Sequence, residues 1–393
     1  MLPFALLCAG VLLFGLVEST VHSMRIRRIP IRIHVNGTRG KSTVTRLIAA
    51  GLRAGGHRVI AKTTGTAPNI ILEDGSEMPV RRRGRANISE QIRVAAFASR
   101  RGADALVLEC MALEPENQWV SEHRIVRSTI GVITNVREDH LDVMGPTVSD
   151  VARALALTVP RRGHLVTAET DHLDVIEACA RRVGATVHRA DPSSIPEDVN
   201  GAFEYVSFRE NVACAVCACE LAGVPREVAL GGMLEARGDP GVMHIRRITR
   251  PTGAYVLAAA FAANDRASNS AIWKLLRERG LVGERARPVA VVMNNRGDRL
   301  PRIGELAPLI AEEIRPVRVF LTGQAGRVAS RCLNAAGLAD DVICDLTAVR
   351  DPEQILSEIE QRLPGGAFLL GLGNTKTMGQ VIADYFERNG EPL

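Results

Sequence analysis

The chain has 393 residues, long for one domain and suited to two, and its 46% hydrophobic content is enough for ample cores. The net charge of +5 is mildly basic, and aromatics are sparse at 4%; without an aromatic platform beside the cations, nucleic acid is disfavoured as a partner. The eight cysteines are scattered, which excludes a disulfide framework and suits a reducing cytosol. Basic residues are almost all arginine. Lysine occurs only at Lys41, Lys62, Lys274 and Lys376, which gives weight to the two that lie near a glycine-rich stretch.

Residues 1–17 carry no charged side chain. The run 2–17 is a little short for a spanning helix, though 18–21 extend it into the interface. Neither a basic leader nor a small-residue cleavage signal marks it for removal. Arg25, Arg27 and Arg28 follow, and the positive-inside rule keeps what comes next in the cytoplasm. The expectation is a membrane anchor over 1–22, a single N-terminal pass in the cell membrane with cytoplasmic catalytic domains. A mispredicted start or a buried helix is the alternative.

The stretch around which the chain is organised comes next. Residues 31–35 alternate as a strand, and 43–54 carry apolar residues at helical spacing. Between them lies Gly37-Thr38-Arg39-Gly40-Lys41-Ser42-Thr43. A glycine-rich strand–turn–helix aims backbone N–H groups and a helix N-terminus at an anion. Lys41 would reach the β- and γ-phosphates of a nucleotide and Ser42 would hold Mg²⁺. The general phosphate-loop pattern wants glycine at position 35, where this chain has Val35; the match is to the tighter form G-T-x-G-K-[ST].

From there strands alternate with helices. Strands are expected at 31–36, 59–62, 105–109, 129–135, 163–167 and 186–189, and helices near 43–54, 87–101, 147–158, 171–183, 208–222 and 225–235. The alternation predicts a parallel sheet covered by helices over a domain spanning 30–240. Cys214, Cys217 and Cys219 fall in an alanine-rich helix and read as buried thiols rather than metal ligands. A break at Arg237-Gly238-Asp239-Pro240-Gly241 precedes a second, smaller α/β domain over 241–393, with strands near 254–260, 288–293, 317–321 and 367–371.

Ligands of open parallel sheets bind at the carboxyl ends of the strands. The strand at 105–108 ends in Glu109. The strand at 130–133 ends in Thr134-Asn135, followed by Glu138-Asp139-His140-Leu141-Asp142. Glu109 reads either as a capping or ion-paired carboxylate or as a ligand, and the acidic stretch alone as a solvated turn. Together with Ser42, Glu109 and His140 supply hard oxygens and an imidazole for Mg²⁺.

These motifs resemble the ATP-binding core of the Mur ligase superfamily. Asn211 matches that family's adenine-side asparagine, Gly297-Asp298-Arg299 its C-terminal G-D-R, and Gly371-Leu372-Gly373-Asn374 its last glycine-rich strand end. The resemblance implies a P-loop parallel-sheet ATPase domain of the Mur ligase central-domain type, then a smaller Rossmann-like α/β domain. Two departures stand out. An anchor leads directly into the ATPase core where Mur ligases carry a UDP-sugar domain. The lysine gap from 62 to 274 leaves no candidate, shortly after His140, for the carbamylated lysine that holds a second Mg²⁺.

In detail the chain is similar to the PgsB/CapB family of poly-γ-glutamate synthase subunits. The resemblance rests on Gly40 through Leu47, on Lys62-Thr63-Thr64-Gly65-Thr66 and on Glu109-Cys110-Met111-Ala112. Residues 138–147 and Phe261-Ala262-Ala263-Asn264-Asp265 add to it. It implies ATP-dependent synthesis of γ-linked glutamate through an acyl phosphate. In that reading Lys41, Ser42 and Glu109 offset γ-phosphoryl charge with Mg²⁺, His140 ligates a second Mg²⁺, and Asp298 and Arg299 close the second domain over ATP. Implied partners are glutamate, the growing polymer, the membrane and integral membrane subunits of a synthase or export complex; self-association is compatible with this. Alternatives are a folylpolyglutamate-synthase-like ligase and a membrane-attached ATPase that energises polymer export. The run Arg81-Arg82-Arg83-Gly84-Arg85 reads as a solvated loop, or as a handle for a polyanionic product or acidic lipid headgroups. The stretch 261–265 reads equally as a turn or a substrate contact.

Overall fold

The computed structural model describes residues 2–393 apart from 66, 67, 83, 85, 204, 206, 240, 241, 264 and 284–286. Thr66, Arg83, Arg85, Pro240, Gly241 and Asn264, named within the motifs above, lie outside the described residues. The chain divides into two compact units, Met1–Phe203 with Ser207–Pro240, and Glu204–Val206 with Gly241–Leu393.

The first unit opens with α1 (Leu2–Arg27), β1 (Ile31–Asn36), α2 (Lys41–Ala54) and β2 (Val59–Lys62). Next come β3 (Asn69–Ile71), β4 (Glu77–Pro79), α3 (Ser89–Arg100), β5 (Ala105–Glu109), α4 (Pro115–Val120) and β6 (Ile130–Ile133). It continues through α5 (Leu141–Met144), α6 (Val148–Ala156), β7 (His164–Thr167), α7 (Leu173–Val183) and β8 (Thr186–Arg189). Three helices end it, α8 (Glu197–Gly201), α9 (Arg209–Leu221) and α10 (Arg226–Leu234). The eight strands order as β4-β3-β2-β5-β1-β6-β7-β8. Strands β2, β5, β1, β6, β7 and β8 are parallel, while β3 and β4 form an antiparallel edge. That edge corrects the purely parallel expectation: two three-residue strands with a proline carry too little alternation to register as strands. The central strands are buried along their whole length, which is why they read as near-continuous apolar runs.

Helix α1 is the largest departure. Its last turns belong to the core: His22 and Ile26 are buried, His22 Nε2 lies 2.8 Å from the Ile125 carbonyl, and the helix lies against α3. Its first part leaves Phe4, Leu6, Val11, Leu12, Leu13, Phe14, Leu16 and Val17 exposed by 53–71%. Among the described residues no helix is long and apolar enough to cross a membrane. The expected single N-terminal pass is therefore not found; the 26-residue helix is shared between an apolar arm and a polar segment that docks on the first unit.

The second unit contains β9 (Ile245–Arg250), β10 (Gly253–Ala259), α11 (Arg266–Glu278), β11 (Val289–Asn295), α12 (Leu300–Pro308) and β12 (Arg318–Gly323). After these come α13 (Gly326–Ala335), β13 (Ile343–Asp345), α14 (Pro352–Arg362), β14 (Gly365–Gly373), α15 (Met378–Asn389) and β15 (Glu391–Pro392). Its sheet orders as β13-β12-β11-β14-β10-β9-β15, parallel except where β9 pairs with β10 and β15. Tyr255, Phe320, Phe368 and Phe386 are among its buried aromatics. Asp265, from the stretch left open as turn or substrate contact, caps α11: its carboxylate accepts from the Ser268 N–H at 2.7 Å and from the Ser268 hydroxyl.

Candidate nucleotide site

Because β1, β2, β5 and β6 are parallel, their carboxyl ends share one edge of the first sheet, and β5 and β6 both flank β1 directly. The loop 37–40 leaves β1 at that edge and turns into α2, whose buried face (Val44, Leu47, Ile48, Leu52) fixes the helix with its N-terminus at the loop. The end of β6 clamps the loop. Asn135 Oδ1 accepts from the Thr38 hydroxyl at 2.6 Å and the Arg39 N–H at 3.1 Å, while its Nδ2 donates to the Arg39 carbonyl. The Thr134 hydroxyl donates to the same carbonyl at 2.6 Å. Gly37 has φ +130°, and a Cβ there would fall 2.0 Å from Thr134 Oγ1, so only glycine lets loop and clamp meet.

Lys41 turns back over the loop. Its Nζ donates to the carbonyls of Gly37 at 2.6 Å and Thr38 at 3.1 Å. Burial pushes the ammonium below the usual lysine range, against the opposing pull of Glu109 and Asp139. Ser42 Oγ donates to Glu109 Oε2 at 2.8 Å, and the same oxygen accepts the Thr64 N–H at 2.6 Å. Thr43 follows on the first turn of α2. Asn211, near the start of α9, is 7% exposed and packs against the loop: a Cβ on Gly40 would fall 2.5 Å from its Oδ1.

The loop's third member faces the acidic stretch, with Arg39 Nη2 3.6 Å from Asp139 Oδ1. His140 is half-exposed, takes the left-handed conformation at φ 47°, and has Nε2 3.7 Å from Asp139 Oδ1. The structure thus brings Ser42 and Glu109 into contact, whereas His140 reaches the loop only through Asp139 and Arg39. Among the described residues no three His, Cys, Asp or Glu side chains converge on a metal position. A serine hydroxyl and a carboxylate do fit Mg²⁺ carried by a nucleotide, since that ion takes one or two protein oxygens and fills its shell with phosphate and water.

Cys214 and Cys219 are buried as read from the sequence, whereas Cys217 is only partly buried; burial raises Cys214 to about 12 and Cys217 to about 11. In the second unit, Asp298 pairs with Arg296 at 2.7 Å, and Arg299 is exposed where α12 begins. Asn374 follows β14 directly and holds Arg302 through its Oδ1 at 2.9 Å, beside Asn294 of β11.

Two positioning groups escaped the sequence reading. The Thr64 N–H that holds Glu109 is a backbone group, visible beforehand only as the polar end of a short strand. Glu169 lies beyond β7 and accepts the Val136 N–H at 2.7 Å, anchoring the chain after the clamp. Its other oxygen accepts the N–H groups of Thr170, Asp171 and His172.

A phosphate loop clamped by the neighbouring strand, with its serine on a strand-end carboxylate, defines a Mur-ligase-type nucleotide-binding domain. Residues 35–189 match the Mur ligase middle domain, and residues 245–389 match the poly-gamma-glutamate synthase CapB C-terminal domain. The chain is 34% identical over 369 residues to PGA synthase CapB of Bacillus subtilis (strain 168), covering 93% of each. It is 38% identical over 315 residues to the capsule biosynthesis protein CapB of Bacillus anthracis, covering 80% of this chain and 67% of that one. Its fold is similar to Mycobacterium tuberculosis folylpolyglutamate synthase complexed with ADP and AMPPCP, with TM-score 0.70, 15% identity and coverage of 98% and 99%. The chain belongs to the CapB family of poly-γ-glutamate synthases.

Proposed function

We propose that this chain is an ATP-dependent, ADP-forming ligase that joins glutamate through γ-carboxyl linkages. The observation that carries the reading is the Ser42–Glu109 contact beside a phosphate loop, in a chain whose relatives are poly-γ-glutamate synthases. A glutamate γ-carboxylate oxygen attacks the γ-phosphorus of ATP, the bond to the β-phosphate oxygen breaks, and ADP leaves an acyl phosphate. The amine of another glutamate then attacks the acyl carbon, phosphate departs, and the amine loses its proton to give the amide.

Phosphoryl transfer of this kind asks the protein for position and charge rather than covalent chemistry. The backbone of Gly37, Thr38, Arg39 and Gly40 and the N-terminus of α2 cradle the phosphates, and Lys41 exchanges its loop carbonyls for phosphate oxygens. Ser42 and Glu109 would hold Mg²⁺, which offsets the negative charge of the phosphates when bound. Asn211, packed on Gly40, borders the nucleotide. We assign His140 to the acceptor side of the site, and Asp298 and Arg299 to nucleotide handling.

The apolar arm of α1 supports attachment to a membrane or to membrane-embedded subunits, because eight large apolar side chains in water are costly at about 25 cal/mol per Å². Fractionation of full-length protein beside a chain starting at Met24 tests this; a wholly soluble full-length protein would remove it.

Incubation of membranes carrying the protein and its partner subunits with ATP and labelled glutamate tests the reaction. The expected result is glutamate-dependent ADP release with a γ-linked polymer. ATP hydrolysis that consumes no glutamate would replace the ligase with an export motor.

A further inference from the structure

Arg81, Arg82 and Gly84 and one face of α3 enclose a cleft of about 660 Å³ in the first unit. Five described charged side chains line it: Arg81, Arg82, Arg93, Arg100 and Glu90. The single carboxylate is already engaged. Glu90 accepts Arg82 Nε at 2.7 Å and Nη2 at 3.2 Å, and it lies 3.4 Å from the fully buried Lys62 Nζ. Among the described residues, Arg81, Arg93 and Arg100 pair with no carboxylate and are exposed. Three uncompensated cations around one concavity repel each other until an anion enters.

The spacing tells which anion. Arg93 and Arg100 stand seven residues apart on α3, two helical turns, or roughly 10 Å at 1.5 Å per residue. Free phosphate spans only one of them. A γ-linked glutamate adds two methylene steps to a peptide unit and extends by roughly 6 Å, so carboxylates two repeats apart stand about as far apart as these two helix positions. Ile70, Val80, Val94 and Phe97 line the same cleft, matching the methylene stretches of such a chain. A nucleic acid finds no stacking platform, because Phe97 is the one aromatic among the lining residues and Arg101 covers its ring at 5.5 Å.

One wall of the cleft, α3, is tied to the strand that ends in Glu109. Gln91, next to Glu90, donates to the Glu109 carbonyl at 3.5 Å, and Lys62 ends the strand beside β5. We propose that Arg81, Arg93 and Arg100 form a docking cleft for the carboxylates of the growing poly-γ-glutamate chain, holding it next to the site that extends it. This rests on the ligase reading above.

The test compares the full-length chain with Arg93→Ala/Arg100→Ala, two surface changes that leave the core untouched. Binding of a fluorescent γ-glutamyl decamer is read by anisotropy, and polymer length after a fixed time by gel. The expected result is at least tenfold weaker decamer binding and a shorter product, with ADP release on free glutamate within twofold of wild type. Equal decamer binding by both proteins overturns the cleft. Loss of binding to phosphatidylglycerol vesicles with decamer binding intact overturns it in favour of a lipid surface. Absence of any polymer from wild type counts against the ligase reading alone, because decamer binding still decides the cleft.

Discussion

Ser42 Oγ and Glu109 Oε2 lie 2.8 Å apart, joining the first turn of α2 to the end of β5. The contact gives each group an oxygen partner before any nucleotide arrives, and it sets the spacing of two hard donors at the mouth of the loop. Replacing Glu109 by glutamine keeps the shape and removes the charge. Glutamate-dependent ADP release should fall by ~10²–10³, the usual cost of one well-placed electrostatic group. Nucleotide affinity should hold within a few-fold, since the loop and Lys41 still grip the phosphates. A Mg²⁺ titration of ADP release checks this, and wild-type rates would show that Glu109 is only a support for the Thr64 N–H.

Lys41→Ala should abolish turnover and leave the fold intact. Its ammonium bonds two loop carbonyls and no core group, so the loss exposes Gly37 and Thr38 oxygens to water at the site mouth. Near-normal ADP release from a variant with unchanged thermal unfolding would remove the phosphate-loop assignment.

Much of this site was legible because its chemistry is local in sequence. The loop is one unbroken stretch between a strand pattern and a helix pattern, and Glu109 stands out as a carboxylate ending an apolar run. What holds those residues was not legible. The Thr64 N–H is the same group in every sequence, and Glu169 meets Val136 from 33 positions away with nothing in its own neighbourhood to mark it. The β3–β4 edge was invisible for a different reason. Its register is fixed from outside: Glu77 on β4 holds the buried Arg46 of α2 through both carboxylate oxygens. The N-terminal run was read as a separate anchor because hydropathy reports composition alone. That His22 and Ile26 continue the same helix into the core is a packing fact.

Asn135 offers a test of the clamp itself. Asn135→Ala removes three loop contacts at once, each neutral and worth about 1 kcal/mol. The loop should then sample conformations that do not cradle phosphate. ATP affinity is expected to fall 10- to 100-fold, with a smaller loss in turnover at saturating ATP. An unchanged KM for ATP with reduced stability would reduce Asn135 to a structural tie.

The strand that feeds the loop carries a pH dependence of its own. His34 on β1 is buried and its Nδ1 lies 2.9 Å from Glu122 Oε2, while Glu122 Oε1 accepts the N–H and hydroxyl of Ser128 at 2.9 Å each. Burial alone would push His34 down; neighbouring Cys110 and the Glu122 carboxylate outweigh it and raise His34 to about 10. A histidine raised above its unfolded value of 6.5 stabilises the fold fully below that pH and loses its contribution as pH climbs to about 10. Lys41 and Lys62 are shifted down by burial, so they act in the opposite sense and mask part of the effect in a raw curve. The difference between wild type and His34→Gln isolates it. That difference should shrink from pH 6.5 to pH 10 by at most about 1.4 kcal/mol per pH unit, the limit for one proton. Urea unfolding in a Trp273→Phe background, where Trp119 is the remaining tryptophan and reports on the first unit, provides the measurement. A difference that stays flat across the window would mean that His34 is neutral in the folded chain and that Glu122 is held by Ser128 alone.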